Sequence, residues 1–214
     1  VIRNFLNWKN IVGGAINFKI LLMNKEIIIA VAIGIGLSAS CGFRVFIPML
    51  VAGIAAKIGI LPLNQGFQWL SEWPALIAFG TASAVEILAY YLPFIDNLLD
   101  TITTPLAIGA GTLLLTSVLP IDSDFLKWIT GLIFGGGTAA VVQGGTAMTR
   151  LASSEFTAGI GNPVIATGEH AAAFGTSVLS LFIPIVIAAV VILTVGFILI
   201  RFGKKIFRKR GSRT

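Results

Sequence analysis

Four stretches of this chain, Ile27–Phe43, Thr101–Ile121, Trp128–Thr149 and Ala171–Ile200, contain no Asp, Glu, Lys, Arg or His over 17, 21, 22 and 30 residues. A helix needs roughly 20 apolar residues to cross about 30 Å of hydrocarbon, so these runs constrain the fold more than any other feature. Two further segments, Val45–Ala56 and Trp73–Leu92, are apolar but touch a charge, Arg44 beside the first and Glu86 inside the second. Only 11% of the residues are charged and 56% are hydrophobic, against about 25% charged in an ordinary soluble domain. A chain of this length could bury a soluble core, but it lacks the charge to dress that core's surface. Lipid must be much of its solvent. Strands of a membrane barrel would alternate every second residue in units of about ten, and no such pattern occurs. The expected class is an all-α integral membrane protein.

Counting spans is less direct. Glu26–Leu61 is 36 residues, about 54 Å as one helix, and its middle, Gly36–Pro48, is polar and helix-weakening. Pro163–Ile200 is 38 residues, with Glu169 and His170 early and Pro184 in the middle. Irregular backbone at membrane depth is tolerated only where protein buries it or a wet cavity receives it. Six transmembrane helices are expected, some broken at Gly or Pro, with five plus a re-entrant segment as the alternative. Breaks are expected within Gly36–Pro48 and Glu155–His170.

Basic residues set the expected orientation. Seven lie in Arg201–Arg213 with no acid among them, and Arg3, Lys9, Lys19 and Lys25 precede the first span. The positive-inside rule then puts both termini in the cytoplasm of a multi-pass protein of the bacterial inner (plasma) membrane. Residues 1–24 read as a basic amphipathic extension, with Met23 as an alternative chain start. Residues 25–200 form one transmembrane domain, and 201–214 a basic tail. Arg201, Lys204, Lys205, Arg208, Lys209 and Arg210 are candidate contacts to anionic lipid headgroups, each contributing about 1 kcal/mol near such a surface. A nucleic-acid partner is not expected, since no folded domain accompanies the tail. A homo-oligomer is an open alternative. The single cysteine, Cys41, excludes an internal disulfide or a cysteine metal cluster.

A weak internal repeat relates 74–120 to 126–184. Gly80-Thr-Ala-Ser-Ala-Val-Glu86 aligns with Gly137-Thr-Ala-Ala-Val-Val-Gln143, and Thr116-Ser-Val-Leu119 with Thr176-Ser-Val-Leu179. Repeats are a habit of transporters, with sites at the repeat interface. Because Gln143 stands opposite Glu86, Glu86→Gln is expected to leave assembly intact.

The stretches Ser38-Ala-Ser-Cys-Gly-Phe-Arg-Val-Phe-Ile-Pro-Met-Leu-Val-Ala-Gly53 and Glu86-Ile-Leu-Ala-Tyr-Tyr-Leu-Pro-Phe-Ile-Asp-Asn-Leu-Leu-Asp100, then Thr104-Pro-Leu-Ala and Gly159-Ile-Gly-Asn-Pro-Val164, resemble a bacterial membrane family, domain of unknown function 4126. The resemblance covers roughly Lys25 to Ile200 and implies no activity.

Chemistry must come from the intramembrane polar residues, because a lone charge at bilayer depth costs about 2.5–3.5 kcal/mol on insertion scales and finds a partner. Arg44 and Glu86 are the leading candidates, either flanking a transport pathway or fixing helix packing. Arg44 is expected to meet a carboxylate, Glu86 first and Glu169 second. Asp96 and Asp100, four apart, with Glu86, Tyr90, Asn97 and Thr101, form an acidic strip suited to a hard cation or to a solvated loop before a helix beginning near Pro105. Glu169 and His170 are adjacent, and a histidine there is a candidate proton relay. Asn162 joins this list as a polar residue at a span entry. Arg150 and Glu155 read as the ends of a short linker. Glycines at Gly135–Gly137 read as helix-packing surface. No catalytic motif, cofactor or metal site is expected. The favoured function is a small-solute or ion transporter or channel; the alternative is a non-transporting membrane scaffold or assembly subunit, with a lipid-directed enzyme third.

Overall fold

The structure, a computed structural model, describes the backbone of residues 25–92 and 95–210 and the side chains of 25–92 and 99–201. The extension 1–24 lies outside these, as do the side chains of Asp96, Asn97, Lys204, Lys205, Arg208, Lys209 and Arg210. Among the described residues there are helices and turns and no strand. In chain order they are α1 (25–41), α2 (Phe46–Lys57), α3 (Trp73–Ala89) and α4 (Ile95–Val118). The rod α5 (Asp124–Thr157), π-helical over Gly131–Gly136, is followed by α6 (Asn162–Phe182) and α7 (Pro184–Arg210). A 3-10 turn, Gln65–Ser71, joins α2 to α3. Among the described residues three segments are long and apolar enough to cross a membrane, Leu99–Val118, Asp124–Thr157 and Pro184–Arg201. This is a membrane protein.

The 36-residue segment is not one helix but two short ones, 25–41 and Phe46–Lys57. The amides of Gly42, Phe43 and Arg44 bond back to the carbonyls of Ala39 and Ser40 at 3.0–3.1 Å, closing α1. A glycine is required at 42, because a Cβ there would lie 2.5 Å from Val142 Cβ and 2.7 Å from the Ala139 carbonyl oxygen. After four residues the chain restarts as α2, with Pro48 in its first turn, where no helix bond is lost. The direction then reverses. Gly34 lies against Leu115, and Ser38 donates to the Gly111 carbonyl at 2.7 Å, so α1 runs antiparallel to α4. On α2, Val45 meets Glu86 near the end of α3, while Gly53 meets Leu76 near its start. The α2–α3 loop closes onto the end of α4, with the Asn64 amide 2.8 Å from the Ser117 carbonyl. Thus α1 and α2 form a hairpin that enters and leaves at one end of the bundle. Cys41, fully buried, sits beside its tip.

The other helices run end to end. Gly136 packs on Thr112 and Gln143 bonds Thr103, making α5 antiparallel to α4. Gly36 packs on both Ser180 and Ile187, and Gly145 on Ile198, so α6 and α7 alternate again. The expected breaks are present, at 42–45 and at 158–161, where Ala158 (φ 52°) and Gly159 (φ 86°) turn the chain. A further turn falls at Ile183, ahead of Pro184. Residue 25 and residue 201 stand at opposite ends of the bundle by the contacts above; the chain termini themselves, expected on one side, lie outside the described residues. One expectation needs correction. Asp96–Thr101 is the start of α4 rather than a loop, since that helix begins at Ile95 and carries Pro105 inside it.

Where α4 crosses α5 the backbones touch. A Cβ on Gly135 would fall 2.4 Å from the Gly111 carbonyl oxygen, and one on Gly111 2.8 Å from that of Gly135. The glycines act here as packing surface. Gly135→Val is therefore expected to destabilise the bundle by about 1–3 kcal/mol through overpacking, seen as a lowered melting temperature in detergent.

Candidate functional site

The hairpin tip delivers Arg44 to a cluster built from four other helices. Its guanidinium, 1% exposed, meets Glu169 Oε2 at 2.8 Å on α6 and donates to the Phe43 carbonyl at 2.7 Å. Arg150, on α5 and equally buried, meets the same Glu169 oxygen at 2.6 Å. Its Nε donates to Asp100 Oδ2 at 3.1 Å, and its Nη2 pairs with Asp100 Oδ1. One carboxylate oxygen thus bridges two arginines, and one of those arginines grips a second carboxylate in a two-point fork.

Tyr90 lies against both cations. The Arg44 guanidinium is 3.8 Å from its ring centroid and that of Arg150 4.6 Å, close enough for the ring's negative face to attract each charge. Its hydroxyl donates to Asp100 Oδ1 at 3.2 Å and contacts Thr103 Oγ1 at 3.1 Å, which accepts from Gln143 Nε2 at 3.2 Å. With the Tyr90 proton on Asp100, Thr103 donates to Tyr90. A single ordered chain of donors therefore runs from Gln143 through Thr103 and Tyr90 to Asp100.

Glu86 has a different partner from the one expected. Its Oε1 accepts from the Val45 amide at 2.9 Å and its Oε2 from that of Phe46 at 3.1 Å. These amides open α2, so the carboxylate caps a helix N-terminus from a neighbouring helix and meets its positive dipole end. The expected pairing of Arg44 with Glu86 first and Glu169 second is reversed.

The remaining candidates are distributed as follows. Asp100 serves Arg150, which replaces the hard-cation reading at that carboxylate. Asn162 donates to Ser154 at 2.9 Å across the α5–α6 turn. His170 faces away from Glu169 and lies against Tyr91, ring centroids 5.6 Å apart, and its buried ring nitrogens have no partner among the described residues. Arg201, on α7, is exposed, with its guanidinium 5.9 Å from the Phe197 ring. Arg150, read from sequence as a linker end, is central, and Gln143 and Thr103 join it. The readable signal was the spacing of Ala139, Gln143, Thr146 and Arg150, which places all four on the buried face of α5.

Two of the cavities that flank the described helices stand out. One, ≈ 870 Å³, lies at the other end among the α2–α3 loop and the α4–α5 turn, where Lys127 and Asp124 pair at 3.3 Å. The other, ≈ 730 Å³, lies between α5, α6 and α7 and reaches Glu169. The second adjoins the buried charges and is the one of interest.

Neither the curated proteins nor the solved structures provide a match to the chain. The family model for the domain of unknown function DUF4126 matches residues 31–204, and the chain therefore belongs to the DUF4126 family.

Proposed function

We propose that this protein is a small membrane transporter or channel whose solute or ion passes beside the Arg44–Glu169–Arg150–Asp100 cluster. The observation that carries the reading is the α1–α2 hairpin, which brings a helix break, a helix N-terminus and Arg44 to buried carboxylates inside the bundle. Discontinuous helices meeting at an interior polar site are what secondary transporters use to hold ions and solutes. In a bilayer the helix directions support a reading of five crossings plus a re-entrant hairpin, the alternative raised by the sequence. The seven basic residues of Arg201–Arg213 support a cytoplasmic tail end with lipid headgroups as its proposed partners. The proposed repeat fits in direction, since α3–α4 and α5–α6 follow the same course. It fits less well in length, because α5 continues past Gln143 to Thr157 while α3 stops at Ala89.

Reconstitution into liposomes carrying ion-selective and pH-sensitive dyes tests the reading. Flux above protein-free vesicles is expected, with loss of at least tenfold in a folded Glu169→Gln variant. The scaffold reading rests on a specific observation, the mutual pairing of the buried charges. It is favoured if no tested gradient of H⁺, monovalent ions or small organic solutes drives flux.

A further inference from the structure

We infer that the cavity between α5, α6 and α7 is a binding site for a lipophilic monovalent cation, an apolar body carrying an amine or onium charge. This deepens the proposed function by naming a substrate class, and its transport role rests on that reading, though its binding chemistry does not.

Three observations carry it. The first is an unpartnered group. Glu169 is 6% exposed and uses Oε2 for both arginines, while its Oε1 is buried with no partner among the described residues. Glu169 lines the cavity. A buried carboxylate oxygen without a donor is costly, and a ligand bringing a positive charge or a donor removes that cost.

The second is the polarity of the walls. Phe43, Met148, Ile165 and Ile198 make most of the lining apolar. The threonines among them, Thr146, Thr149 and Thr194, donate their hydroxyl protons to carbonyls of their own helices, Gln143, Gly145 and Val190, at 2.8–2.9 Å. Only acceptor lone pairs remain for an occupant. An anion would meet oxygen on every polar contact, whereas a cation is matched.

The third is the size and the opening of the cavity. A volume of ≈ 730 Å³ lies within the range of about 300–1,000 Å³ typical of small-molecule sites. Met148, 52% exposed, marks a mouth on the outer face of the bundle, so the ligand enters from the lipid.

The test is equilibrium binding of radiolabelled tetraphenylphosphonium to the purified full chain in detergent, with octylamine and octanoate as competitors. Saturable binding at one site per chain is expected, displaced by octylamine and not by octanoate, which has the same chain length and opposite charge. Glu169→Gln is expected to weaken binding at least tenfold. Should that variant fail to fold, Gly168→Leu decides: Gly168 lines the cavity, has open space beyond it and belongs to no ion pair, so leucine there should abolish binding in a folded protein. Absence of saturable binding, equal displacement by octanoate, or full binding by either folded variant overturns the inference. Saturable cation binding without liposome flux upholds the site and removes the transport reading. Flux without cation binding does the reverse.

Discussion

Arg150→Met is expected to destabilise the protein by about 3–5 kcal/mol, the cost of leaving a buried charge without its counter-ion. The guanidinium is 1% exposed, and its loss strips Asp100 of a two-point partner and Glu169 of one of its two cations. The Tyr90 ring also loses one of its two cations. Denaturation in detergent, followed by tryptophan fluorescence, measures the loss. The double variant Arg150→Met with Asp100→Asn should recover part of it, because the orphaned carboxylate is then neutral. Additive losses in the double variant would show that the two side chains do not interact.

Glu86→Ala is expected to cost about 2–6 kcal/mol, since it leaves one buried and one half-buried amide, Val45 and Phe46, without an acceptor at about 1–3 kcal/mol each. Glu86→Gln should cost about half of that. An amide keeps one acceptor oxygen but turns an NH₂ group toward the other N–H. This revises the expectation from the aligned Gln143, which works in the opposite sense by donating to Thr103. The two positions share a buried address and not a hydrogen-bonding role. Hydrogen exchange at Val45 and Phe46 reads the effect locally, and unchanged protection in both variants would contradict the capping role.

Much of the helical architecture was legible in the sequence. Trp128–Thr149 falls inside α5 and Thr101–Ile121 overlaps α4 up to its end at Val118, and the Gly, Ser and Pro content around residues 36–48 and 155–170 marked both breaks. Direction was not legible. Hydropathy is the same for a helix that crosses and for one that turns back, so the α1–α2 hairpin competed with a straight count until Ser38 and Gly34 were seen against α4. Arg150 was missed because the charge-free run ends at Thr149, and the span was cut there although the helix continues to Thr157. On α6 the buried face, Asn162, Ala166, Glu169, Ala173, Ser177 and Ser180, recurs every three or four residues, and its polar members were visible. What no local pattern contains is the partner of Glu86. Its acceptors are satisfied by backbone amides 40 and 41 residues away, a contact that exists only once the hairpin has formed.

The hairpin is what assembles the charge cluster, and it requires the α1 entrance and the α2–α3 loop to share one side of the membrane, with the α5–α6 turn on the other. Single cysteines at Glu26, Gln65 and Ala158, all exposed, report this directly with a membrane-impermeant maleimide, Cys41 being buried. In sealed cells Glu26→Cys and Gln65→Cys should label from the same side, and Ala158→Cys only once the membrane is permeabilised. Labelling of Glu26→Cys and Ala158→Cys from one side would contradict the hairpin, and with it the cluster at its tip.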